Sequence, residues 1–300
     1  MKLATYLLTA LLAPACVAAD DIDPATASGE QALGPETLPK HEHAPKGDAS
    51  HTSGHTAAIA YHGGPVMLAT PAIHYIWYGN WSGNTATTIL TDLAKGIGGS
   101  SYMGINATYS NGSGQFVTGN VSYAGSTNDN YSQGTSLSDA QIQAVVAATN
   151  PSDPNALYMV LTSADVTASS GFCTQYCGWH THATMNGTDI KYAFVGNPDR
   201  CPSSCEQQSA ASPNGNPGAD GMASIIAHEL EEAVSDPDLN AWYDRQGAEN
   251  ADKCAWTFGT EQTAANSSKY NLTFGGRNWL IQRNWNASTQ TCQRVLGSTN

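Results

Sequence analysis

From Ala57 onward, short apolar runs alternate with turn residues, and the runs follow two different periods. Val66-Met67-Leu68 and Ile73 to Tyr78 follow the punctuation Gly63-Gly64-Pro65 and predict strands. Thr85 to Ile97 places Ile89, Leu90, Leu93 and Ile97 at helical spacing. A Gly/Ser/Asn/Tyr-rich stretch from Ser101 to about Gly134 predicts further β structure. Ser136 or Ser138 suits the cap of a helix running through Ala148, with Ile142, Val145 and Val146 turned inward. Ala156 to Thr162 and Ile190 to Val195 are unbroken apolar runs of the kind found in interior strands. The clearest helix runs from about Met222 to Ser235, opened by Asp220-Gly221, and loops with short strands follow around Trp256, Phe274, Trp279 and Ile281. No internal repeat is visible. The pattern predicts one α+β domain over 57–300, a mixed sheet followed by a key helix.

The N-terminal fifth reads differently. Lys2 and the apolar run Leu3 to Val17 are too short for a comfortable membrane span, and Val17 and Ala19 are the small residues a signal peptidase reads. Residues 1–19 are therefore expected to be a signal peptide. A retained anchor, or a lipid on Cys16 after Ala13-Pro14-Ala15, is the alternative. Residues 20–56 are rich in small, polar and charged residues with little to bury. They predict a disordered linker or pro-segment, in which His41, His43, His51 and His55 are solvated rather than metal-binding.

Cysteine and charge narrow the classes. Without Cys16, six cysteines remain: Cys173, Cys177, Cys201, Cys205, Cys254 and Cys292. In a secreted chain they predict a disulfide framework in which the 173/177 and 201/205 pairs cross-link, leaving Cys254 with Cys292. A four-thiolate zinc site is the alternative. Sequons at Asn80, Asn106, Asn111, Asn120, Asn130, Asn186, Asn266, Asn271 and Asn286 would carry glycans on surface loops in a eukaryotic host. The net charge is −13 with 12 Lys and Arg, so no basic patch is available for nucleic acid. Protein, polysaccharide or a cation is the better partner.

One constellation can carry chemistry. In His228-Glu229-Leu230-Glu231-Glu232, His228 and Glu232 stand four apart on one helix face, with Glu229 beside them. This is the layout of H-E-x-x-H zinc peptidases, in which the Glu is the general base, with Glu in place of the second His. Carboxylate oxygen is an acceptable zinc ligand. A third ligand is expected at Asp252, within Glu249-Asn250-Ala251-Asp252, then at Asp236, then at the pair His180 and His182; Asp238 is also in range. The alternative is a solvated acidic face with Ile225, Ile226, Leu230 and Ala233 packed beneath it. No G-x-S-x-G elbow occurs, and glycoside hydrolysis by paired carboxylates stays open because its spacing is spatial.

Several segments together resemble the phosphate-induced protein 1, or EXORDIUM-like, family. They are His62-Gly63-Gly64-Pro65-Val66, Ile76-Trp77-Tyr78-Gly79-Asn80-Trp81, Phe172-Cys173 to Cys177-Gly178-Trp179-His180, and Tyr192 to Asn197. Cys201-Pro202 to Cys205, Asp220-Gly221-Met222, Asp236-Pro237 and Asn240-Ala241-Trp242-Tyr243 continue the likeness. The resemblance implies an extracellular protein, in plants associated with the cell wall, with no settled activity. It also points to a microbial branch that carries a zincin-like HExxE helix.

Two functions follow. One is a secreted zinc hydrolase on a single, disulfide-stapled zincin-like domain, with His228, Glu232 and Asp252 or Asp236 on the metal and Glu229 as base. The other is a non-catalytic wall or matrix protein whose exposed aromatics, such as Trp81 or Trp179, meet polysaccharide.

Overall fold

The computed structural model describes residues 39–47 and 57–298, all within one compact unit. The expected signal peptide 1–19, together with Cys16, His51 and His55, lies outside the described residues.

The central sheet contains β1 (His41–His43), β2 (Ala72–Tyr78), β3 (Ser122–Asp129), β4 (Ala156–Thr162), β5 (Gly178–Met185) and β6 (Thr188–Val195), in the order β1-β5-β6-β4-β2-β3. β3, β2, β4 and β6 are parallel; β5 runs against β6, and β1 against β5, so the sheet is mixed. The seven residues of β4 are all buried, as its apolar run requires of a strand covered on both faces. β3 alternates exposed and half-buried positions and forms an edge.

Three helices cover the sheet: α1 (Ala86–Ile97), α2 (Asp139–Ala148) and α3 (Pro217–Ser235). The predicted stripe of α1 is buried. Ser138 caps α2 in a capping box with Gln141. α3 begins at Pro217 rather than near Met222, because Asn216 accepts the Ala219 N–H at 3.1 Å and Pro suits the first helical position. Val66-Met67-Leu68 is not a strand; Met67 N–H donates to the Val234 carbonyl and holds that stretch against the end of α3.

Three disulfides staple the domain: Cys173–Cys201, Cys177–Cys205 and Cys254–Cys292. They close loops of 28, 28 and 38 residues, each worth ~3–4 kcal/mol on a chain-entropy argument. A four-thiolate zinc site is thereby ruled out.

Two expectations need correction. Residues 39–47 are ordered and bound: β1 pairs with β5, and the Lys40 side chain, 4% exposed, reaches Asp139 at 2.8 Å. This docking uses charged and imidazole side chains, which leave no apolar trace in the sequence. Trp179 is fully buried against Phe194 and Tyr192, and Trp81 is 9% exposed and packed edge-on against Trp77, so neither is an exposed aromatic. Of the sequons, Asn106, Asn271 and Asn286 are buried, whereas Asn80, Asn120, Asn130, Asn186 and Asn266 are exposed.

Candidate metal centre

α3 is buried at every residue except Pro217, including Glu229, Glu231 and Glu232 at 0% exposure. The acidic stretch is therefore not a solvated face. Ionised carboxylates survive such burial only with partners or a cation, and the partners present are mainly imidazoles.

The i, i+4 spacing sets His228 Nε2 3.0 Å from Glu232 Oε1. Asp252 Oδ1 lies 3.3 Å from the same ring nitrogen. Asp252 opens a short 3₁₀ turn ending at Cys254, which the Cys254–Cys292 disulfide anchors, and its own N–H donates to Glu232 Oε1 at 3.1 Å. Tetrahedral zinc with bonds near 2.0–2.1 Å holds its ligands about 3.3 Å apart, so this spacing suits the ion. His228 Nε2, Asp252 Oδ1 and Glu232 Oε2 are buried without hydrogen-bond partners. His228 Nδ1 rests against the Gln282 side-chain amide. With that amide turned oxygen-first, the ring donates from Nδ1 and its Nε2 lone pair faces the carboxylates.

A second set shares Glu232. His180 Nε2 on β5 lies 3.1 Å from Glu249 Oε2 and 3.7 Å from Glu232 Oε2. From β1, His41 Nδ1 stands 3.1 Å from Asp252 Oδ2 and 3.6 Å from Glu232 Oε2, while its Nε2 meets the Gly247 carbonyl at 2.8 Å. The His43 ring packs edge-on against His228, 4.0 Å between centroids. Glu229 points toward the start of β5, where Gly178 permits the approach: a Cβ there would sit 2.9 Å from Glu229 Oε1 and 2.6 Å from Ile225.

Three carboxylates, Glu232, Glu249 and Asp252, thus converge on the imidazoles, with Glu229 near enough to feel their charge, and the electrostatics show a deficit of positive charge. Burial opposes ionisation of His228, but the Glu232 charge and the close approach of the Asp252 and Glu232 carboxylates outweigh it and raise the ring to about 10. Burial likewise opposes the Glu232 charge, yet His228 holds that carboxyl well below the usual range. Glu229 and Glu249 are pushed well above it, chiefly by burial. His180 falls to about 3, again through burial, and presents a neutral imidazole. The cluster stores protons where a divalent cation would release them.

Of the residues predicted for the site, His228, Glu232 and Asp252 come together with Glu229 beside them. Asp236 does not join them: its carboxylate accepts the N–H groups of Asn240, Ala241 and Trp242 and shapes the turn after α3. His182 and Asp238 lie in a separate, partly exposed cluster with Asp189 and Lys191. Sequence reasoning missed Glu249, Gln282, His41 and His43. Glu249 stands three before Asp252, and the alternation His41-Glu42-His43 puts both rings on one strand face, so both signals were present in the sequence.

Comparison with known proteins settles the family. The profile described as the phosphate-induced protein 1 conserved region matches residues 59–295. The chain belongs to the phosphate-induced protein 1 family. EXORDIUM-like 3 of Arabidopsis thaliana is 32% identical, across 80% of this chain and 84% of the relative. EXORDIUM-like 5 of the same plant is 33% identical, across 78% and 77%. PHOSPHATE-INDUCED 1 of Nicotiana tabacum is 25% identical, across 79% and 88%. These family members are plant proteins and lend no support to a microbial branch. No solved structure matches the chain significantly.

Proposed function

We propose that this protein is a secreted zinc-dependent hydrolase of the peptidase type, in which a zincin-like domain carries H-E-x-x-E in place of H-E-x-x-H. The observation that carries the reading is the buried set His228 Nε2, Glu232 and Asp252 Oδ1. Glu232 Oε1 and Asp252 Oδ1 stand 3.0 and 3.3 Å from His228 Nε2, close to tetrahedral ligand spacing, and Asp252 Oδ1 and Glu232 Oε2 are left unbonded. Bound zinc would polarise a carbonyl and acidify a coordinated water. The chain supplies the rest. Gln282 fixes the His228 ring, and the Asp252 N–H fixes one Glu232 oxygen. Glu229, buried with both oxygens unbonded, accepts the proton of the attacking water. Secretion is supported by the apolar run 3–17 and by three disulfides, which persist in oxidising compartments. The microbial branch belongs to the same reading, resting on the His228-Glu229 pair alone. Zinc content and casein hydrolysis of the purified chain test the reading: Glu229→Gln should keep the metal and lose the hydrolysis.

One observation favours the matrix-protein reading. A cleft of about 660 Å³ is lined by Trp77, Trp81, Asp92 and Lys95. Its walls present hydroxyl and charged groups, Ser82, Thr87, Asp92 and Lys95, with only the edges of the largely buried Trp77 and Trp81 beside them, which suits a polar, neutral chain such as a polysaccharide. Retention on insoluble wall polysaccharide, lost on Trp81→Ala without loss of fold, would support it.

A further inference from the structure

β5 is the antiparallel strand at the site end of the sheet, and the strand covering its free edge comes from the chain's own N-terminal segment. β1 lies antiparallel on β5 with His41 opposite His180, Glu42 opposite Trp179 and His43 opposite Gly178. Strand alternation sends neighbouring side chains to opposite faces. His41 and His43 turn toward α3 and cover the carboxylates, while Lys40 turns toward α2. There its ammonium lies 2.8 Å from Asp139 Oδ2, and 4.7 and 5.3 Å from the ring centres of Tyr176 and Trp179. Asp139 is itself held by the Ser170 hydroxyl at 2.5 Å. This box of a buried carboxylate and two aromatic faces fits a Lys or Arg side chain.

Backbone contacts continue on both sides of the strand. Thr181 Oγ1 donates to the Pro39 carbonyl at 2.5 Å, and Trp256 Nε1 to the Ala44 carbonyl at 2.8 Å. Lys46 N–H donates to the Ser204 carbonyl at 2.7 Å. A sheet edge binds an extended peptide of any sequence through main-chain bonds, and pockets for alternate side chains add selectivity.

We propose that residues 39–47 sit as an intramolecular pseudo-substrate in a polypeptide-binding cleft, so that the intact chain is latent. The substrate class is an extended peptide that adds antiparallel to β5, with a basic side chain in the Asp139–Tyr176–Trp179 box and the following residue over the metal cluster. The proposal rests on the hydrolase reading for what happens after binding, and on the strand geometry alone for the binding itself.

The test uses three proteins: the intact chain, a chain beginning at Ala57, and intact Lys40→Ala. A fluorescein-labelled peptide of residues 39–47 should bind the shortened chain with at least tenfold higher affinity than the intact one. Lys40→Ala in the peptide should weaken binding tenfold or more. Casein hydrolysis by the zinc-treated shortened chain should exceed that of the intact chain at least tenfold, and added peptide should suppress it. If the shortened chain does not fold, hydrogen exchange on the intact proteins decides: Lys40→Ala should speed exchange of the Gly178–His182 amides at least tenfold. Equal exchange in both intact proteins, or a folded shortened chain that ignores the peptide, overturns the proposal. Peptide binding without zinc binding keeps the cleft and sinks the hydrolase; zinc binding and hydrolysis without peptide binding does the reverse.

Discussion

Among the described residues, two clusters of histidine and carboxylate lie near β5, and they differ in how far their charge is answered. In the surface cluster, Lys191 Nζ stands 2.6 Å from Asp189 and 3.1 Å from Asp238, and His182 stands 2.9 Å from Asp189. The ammonium already answers both carboxylates, and water reaches His182 and Asp189, each more than a third exposed. In the buried cluster, Glu232, Glu249 and Asp252 meet imidazoles, and several oxygens, both of Glu229's among them, have no donor at all. Proximity of ligand types is common to both. What separates them is burial combined with unanswered charge.

The largest effects should come from the buried cluster. His228→Ala removes the ring on which both carboxylates converge, and bound zinc should disappear, as read by metal analysis of the dialysed protein. Glu229→Gln should retain the metal and lower hydrolysis by about 10²–10⁴-fold, the usual contribution of a positioned base. A drop in both metal and activity would instead make Glu229 a ligand.

Next in size is the covalent support of the site. Replacing Cys254 and Cys292 by Ser should cost ~2–5 kcal/mol in denaturant unfolding. It should also weaken zinc binding, because the turn that presents Asp252 is tied down there. Asp236→Ala should cost about 1–3 kcal/mol by leaving three N–H groups without their acceptor, with zinc retained. Loss of metal in that variant would return Asp236 to the ligand set. Smallest of all, Lys191→Met should shift stability by ~1 kcal/mol or less, as a partly exposed ion pair does, and leave metal content unchanged.

The contrast between clusters also explains what the sequence could reveal. Helical spacing was legible in α1, α2 and the core of α3, and so was the meeting of His228 with Glu232, because a helix fixes it locally. Asp252 was legible as a candidate, but its choice over Asp236 depended on a turn anchored by a distant disulfide. The start of α3 was missed because Asn216-Pro217 lies outside the apolar stripe that marks the helix. β5 was missed because Gly178-Trp179-His180-Thr181-His182 alternates polar side chains into a polar site rather than into a core. β1 was missed for the same reason: a strand that docks through Lys40, His41 and His43 reads as solvated linker until its partners are known.

Metal stoichiometry of the wild-type chain, measured alongside Asp252→Asn and Asp238→Asn after equilibration with zinc and exhaustive dialysis, tests the account most directly. The account predicts about one zinc per chain in the wild type and in Asp238→Asn, and a strong loss in Asp252→Asn. A wild-type chain that retains no zinc, or one whose zinc depends on Asp238 instead of Asp252, would contradict it.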